Sequence, residues 1–107
     1  MKAAPSDFLV VDREALPESE LEGLRYGGAG VCLIFVDVEP GEGPRLHRHP
    51  YEEVFIVLEG RPRFVVDSET VEATAGQIVI VRARVAHKFA NAGPGRLRQI
   101  DIHVSPE

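Results

Sequence analysis

Residues 41–60 read GEGPRLHRHPYEEVFIVLEG, and this stretch sets the reading of the whole chain. Its second half, Tyr51 to Glu59, is rich in β-branched and aromatic residues and predicts a strand, closed by Gly60. Its first half carries His47 and His49, with Glu53 four residues after His49. Imidazole nitrogens and carboxylate oxygens are favoured donors for divalent transition metals. Side chains on an extended strand alternate between faces, so positions 47, 49 and 53 share a parity and point one way. Glu52, one residue out of step, points away. His87 follows 34 positions after Glu53, so three of the chain's four histidines join this set.

Outward from that stretch, ten glycines and eight prolines punctuate the chain, and the segments between them read as strands. Val31 to Val38 is apolar at alternate and intervening positions alike, which predicts a strand buried on both sides. Arg63 to Val66 and Thr70 to Ala73 flank Asp67-Ser68-Glu69 as a hairpin. Gln77 to Arg82, Ala86 to Ala90 and Leu97 to Val104 follow. On the last strand, Ile100, Ile102 and Val104 share one face, and Gln99, Asp101 and His103 the other. That polar row is either a solvated outer face or a row lining a pocket, and periodicity does not choose between them; only His103, near the chain end, is read as solvated. Tyr51 has the parity of the ligand set, although Pro50 can disturb its register. Leu16 to Leu24 has room for a helical turn at most, between Pro17 and Gly23. The expected fold is therefore all-β, a small antiparallel β-barrel or jelly roll with minimal helix. Phe55, Phe64, Phe89 and Cys32 are expected in its core.

At 107 residues the chain is expected to form one domain, residues 1–107, burying somewhat over ~60% of its unfolded surface. A formal net charge of -5, with arginines dispersed or paired, argues against nucleic acid and anionic membranes as partners. Asp7 and Asp12 bracket only four apolar residues, too few for a leader, and no run reaches membrane-spanning length. The lone Cys32 cannot form an intrachain disulfide. These features give an expectation of a soluble, cytoplasmic protein.

Written as spacings, the two chemical stretches are Gly41-x5-His47-x-His49-x3-Glu53-x6-Gly60 and Gly76-x5-Arg82-x-Arg84-x2-His87-x3-Asn91. Together, at 41–60 and 76–91, they resemble the two signature motifs of the cupin superfamily. The first matches at every defined position, and the second keeps its glycine, histidine and asparagine. The resemblance implies a small single-domain cupin whose metal ligands are His47, His49, Glu53 and His87. That family usually has Pro and Gly where Arg82 and Arg84 stand here. If the turn needs a left-handed residue, an arginine costs roughly 1–2 kcal/mol.

Four protein ligands to a six-coordinate ion leave two positions open for substrate, water or dioxygen. The donor set accepts iron, manganese, nickel, zinc, cobalt or copper without selecting among them. Two enzyme readings follow: a metal-dependent dioxygenase, hence an oxidoreductase, or a Lewis-acid isomerase or cyclase. A third reading is a non-catalytic module that binds a metal and a small ligand. No nucleophile with a partnered base stands out, and the catalytic residues stay unassigned. A small-molecule ligand or substrate is expected, and a homodimer, since the doubly apolar Val31–Val38 needs cover that so short a chain does not supply.

Overall fold

The computed structural model describes residues 2–4 and 7–107; positions 1, 5 and 6 of the segment read for a leader lie outside the described residues. Eight antiparallel strands form two sheets: β1 (Glu20–Glu22), β2 (Cys32–Val38), β3 (Glu53–Glu59), β4 (Pro62–Val66), β5 (Glu69–Glu72), β6 (Ile78–Val81), β7 (His87–Asn91) and β8 (Leu97–His103). One sheet runs β1-β2-β8-β3-β6 and the other β5-β4-β7. The all-β expectation holds, with three-residue 3-10 turns as the only helical pieces in the described elements. No helix among the described residues is long and apolar enough to cross a membrane.

The sheets do not close into a barrel. Closure needs continuous strand pairing along both seams. The segment that would supply one seam, residues 39–52, contains Pro40, Pro44 and Pro50, which have no N–H to donate. It meets β7 only in places, through an isolated bridge between His47 and His87 and backbone hydrogen bonds of Gly41 and Glu42 with Asn91. The architecture is an open two-sheet sandwich. Nor is residues 16–24 merely a turn: Glu20–Glu22 pairs with β2, with Leu21 opposite Leu33.

Between the sheets lies a core of Phe55, Val57, Phe64, Ala73, Val81, Phe89 and Leu97. Phe64 is fully buried, its ring edge-on to Phe55 at a 5.0 Å centroid distance and tilted against Phe89 at 5.9 Å. Cys32 is buried and unpaired, as expected. Asn91 secures the edge of the core, donating to Val38 O and Gly95 O while its Oδ1 accepts from Gly93 N. Gly60 sits at φ 93°, and a Cβ there would collide with Arg96 O, so the end of β3 requires glycine.

The outer face of the five-stranded sheet is different. Val54, Ile56, Ile78, Ile80, Ile100 and Ile102 share the parity opposite to the core residues and meet across paired positions. Ile78 and Ile80 are more than half exposed. On β2, Cys32 alone is fully buried, and the outer Phe35 is covered by the Arg13 guanidinium at 4.4 Å. The expectation that β2 is buried on both sides is not met within one chain.

Candidate metal centre

His47, His49, Glu53 and His87 each offer a donor atom, and the four atoms lie within 4.8 Å of one another. Different elements bring them there. Glu53 opens β3 and points inward, buried. His87 opens β7 in the facing sheet, also buried. His47 and His49 are not on the β3 strand, as simple alternation over 47–53 would require. His47 instead exchanges two backbone hydrogen bonds with His87, at 2.8 and 3.0 Å, which sets the two imidazoles side by side with centroids 4.5 Å apart. The carbonyl of His49 accepts from Arg84 N at 2.8 Å. Arg84 adopts φ 69°, so the turn is left-handed and carries the strain expected of an arginine there.

The tautomers follow from the backbone. The Nδ1 atoms of His47, His49 and His87 each lie within hydrogen-bond reach of a carbonyl two residues away: Arg45 O at 2.7 Å, Tyr51 O at 3.1 Å and Val85 O at 2.8 Å. A carbonyl only accepts, so each Nδ1 carries the proton and a neutral ring keeps its Nε2 lone pair free. For His49 and His87 that lone pair faces Glu53 Oε1, at 3.0 and 2.9 Å. Lone pair against carboxylate is repulsive unless a cation or proton lies between. Metal–ligand bonds of ~2.0–2.2 Å place neighbouring corners of a coordination shell about 3 Å apart, matching both separations. The residues fit a divalent ion.

Behind this set lies a second layer, Tyr51 and His103, of which His103 departs from its expected place. His103 is not on a solvated face: its Nε2 donates to Glu53 Oε2 at 3.0 Å, and its Nδ1 accepts from the Tyr51 hydroxyl at 3.1 Å. Tyr51 stacks on His49 with ring centroids 4.2 Å apart, so Pro50 does not carry it away from the site. The whole polar row of β8 faces inward, and Gln99 and Asp101 are buried. Shared parity of 99, 101 and 103 signals one common face, and of the two alternatives the structure takes the pocket-lining one, because the apolar residues of β8 face outward.

Electrostatics divide the carboxyl groups. In the metal-free chain, burial raises the Glu53 carboxyl, but a proton placed toward it by His103, and then by His87 in place of a metal ion, outweighs burial and holds Glu53 below its ordinary value. Burial, then the Glu53 charge, pushes the Tyr51 hydroxyl up. Asp101 is pushed up to about 8 by burial and by Glu53, opposed by the hydrogen bond from Gln99. Gln99 donates Nε2–H to Asp101 Oδ1 at 2.8 Å, leaving its own Oε1 buried without a partner.

Asp101 therefore gives a pH prediction. The folded chain holds this proton up to about pH 8, whereas the unfolded chain releases it near the ordinary value of 3.8. Between those limits the folded state binds more protons, so its contribution to stability falls as pH rises. In metal-free protein, Asp101→Asn is expected to flatten the decline in urea midpoint between pH 5 and 8 relative to the unsubstituted chain. Parallel declines in the two proteins would show that Asp101 ionises normally.

Among known proteins, a family model described as a cupin domain matches residues 34–103. Polyketide synthase CurC of Streptomyces cyaneus is 37% identical over 85 residues, covering 78% of this chain and 52% of that protein. The HTH-type transcriptional regulator PuuR of Escherichia coli K12 is 30% identical over 76 residues, covering 69% of this chain and 40% of the regulator. The chain thus spans about half the length, or less, of these curated relatives. A mutant of Bacillus subtilis oxalate decarboxylase superposes with a TM-score of 0.74 at 23% identity, over 82% of this chain and 25% of that one. That likeness shows the fold alone.

Proposed function

The chain belongs to the cupin family, and on that premise we propose that it is a divalent-metal enzyme acting on a small organic molecule, with His47, His49, Glu53 and His87 as the metal ligands. The observation that carries this reading is the convergence of Nε2 lone pairs on Glu53 Oε1, with each Nδ1 held by a backbone carbonyl. A bound ion would supply Lewis-acid polarisation of a substrate oxygen, or redox chemistry if it is iron. Tyr51, His103 and Glu53 form a hydrogen-bonded chain, and His103 and Glu53 also line a cavity. A proton can pass between Tyr51 Oη, His103 and Glu53 Oε2 beside a substrate there. That pairing favours isomerisation or cyclisation over oxygenation, and the likeness to a polyketide synthase supports small-molecule chemistry. The test is turnover under anaerobic conditions with zinc or nickel in place of iron. Turnover that instead requires iron and consumes oxygen would move the assignment to a dioxygenase. The likeness to a transcriptional regulator favours a second reading, a module that binds metal and ligand without turnover. Ligand-dependent stabilisation with no product under any metal would select it.

The same proposal takes residues 1–107 as one cytoplasmic domain without nucleic-acid or membrane partners, in keeping with the net charge of -5. It also takes the protein as a homodimer joined through the outer face of the five-stranded sheet, whose apolar side chains the described residues cover only in part, leaving Ile78 and Ile80 exposed. Light scattering on the eluting protein is expected to give the dimer mass, and Ile78→Glu with Ile80→Glu to give the monomer. A monomer from the unsubstituted chain would refute the pairing.

A further inference from the structure

The cavity beside the histidine cluster carries information about what it accepts. It lies between the sheets, with a volume of about 580 Å³, within the ~300–1,000 Å³ range of small-molecule sites. One wall is apolar, built from Ile34, Val36 and Val38 of β2 with Phe55 and Phe89. The polar wall is Glu53, Asp101, His103 and His47. Among the described residues no lysine or arginine lines it; the charged groups at its edge are carboxylates, Glu18, Asp37 and Glu42. Asp37 is already held by Arg96 at 2.7 Å.

We infer that the cavity takes an uncharged, largely apolar molecule of about one or two fused rings, presenting a hydroxyl or carbonyl oxygen to the histidine cluster, and discriminates against carboxylate- or phosphate-anchored substrates. This rests on the metal reading above and deepens it. An anionic group reaching beyond the cluster would meet an apolar wall or another carboxylate, with no cation to balance it. Burying a charge without a partner costs several kcal/mol. An uncharged ring loses nothing comparable and gains from leaving water along β2.

The test uses the full chain and 2-naphthol as a fluorescent probe, readable because the protein has no tryptophan. Metal-free and cobalt(II)-loaded protein are both expected to bind 2-naphthol at least about tenfold more tightly than oxalate or glucose 6-phosphate, a difference of about 1.4 kcal/mol or more. In the cobalt form, binding should also perturb the visible absorption bands. Val36→Phe, which narrows the apolar wall, should weaken naphthol binding by about fivefold or more, with thermal melting confirming that the variant folds. Tighter binding of oxalate or glucose 6-phosphate, in either form, overturns the inference, as does absence of naphthol binding. If cobalt gives no visible bands, the metal assignment fails, and naphthol binding to the metal-free chain still decides the cavity's preference.

Discussion

Alanine at position 87 is expected to abolish stoichiometric metal binding. His87 is almost wholly buried, and its ring is fixed from both sides: Nδ1 by Val85 O, and Nε2 at 2.9 Å from Glu53 Oε1. His47 and His49 cannot replace it, because each is already committed through its own carbonyl partner. Loss of an outer hydrogen-bond partner of a metal ligand typically lowers affinity ~10–100-fold, and loss of a ligand itself should exceed that. His103→Ala is the matched comparison, since it removes the hydrogen bond to Glu53 Oε2 but none of the four proposed ligands. Chelator competition should rank the unsubstituted chain first, His103→Ala within ~100-fold of it, and His87→Ala beyond measurement. Equal metal content in His87→Ala and the unsubstituted protein would show that the assigned ligand set is wrong.

The second large effect is structural. Phe64→Ala is expected to lower unfolding free energy by about 3–5 kcal/mol, because the ring is fully buried and the cavity left behind adds to the lost transfer energy. Small domains are stable by only ~5–15 kcal/mol, so the variant should approach the limit of folding at 37 °C. The ring joins Phe55 and Phe89, which link β3 of one sheet to β7 of the other. Phe64→Leu, which refills much of the space, should lose less than half as much. Urea denaturation of the three proteins measures both differences. A loss below about 1 kcal/mol for Phe64→Ala would mean that the two sheets are not held together by this aromatic cluster.

Much of this arrangement is legible in the sequence, for identifiable reasons. Seven of the eight strands stand out because Gly and Pro interrupt runs of β-branched and aromatic residues. The eighth, Glu20–Glu22, is too short for any period to show. Shared parity groups His47, His49 and Glu53, and the second motif adds His87, although only Glu53 and His87 sit on regular strands. The bridge that places His47 opposite His87 is a long-range contact, invisible to local spacing. Failure to close into a barrel follows from the proline-broken seam at 39–52. His103 was misassigned because periodicity separates two faces without naming the inner one, and here the isoleucines of β8 face outward. Polar groups line the interior at that end because the cavity and cluster are there.

Metal content tests the central claim most directly. Elemental analysis of protein purified without added metal or chelator, then dialysed against one equivalent of a divalent metal mixture, is predicted to find close to one transition-metal ion per chain. His49→Ala and His87→Ala treated identically should hold essentially none. No bound metal in the unsubstituted protein would contradict the account.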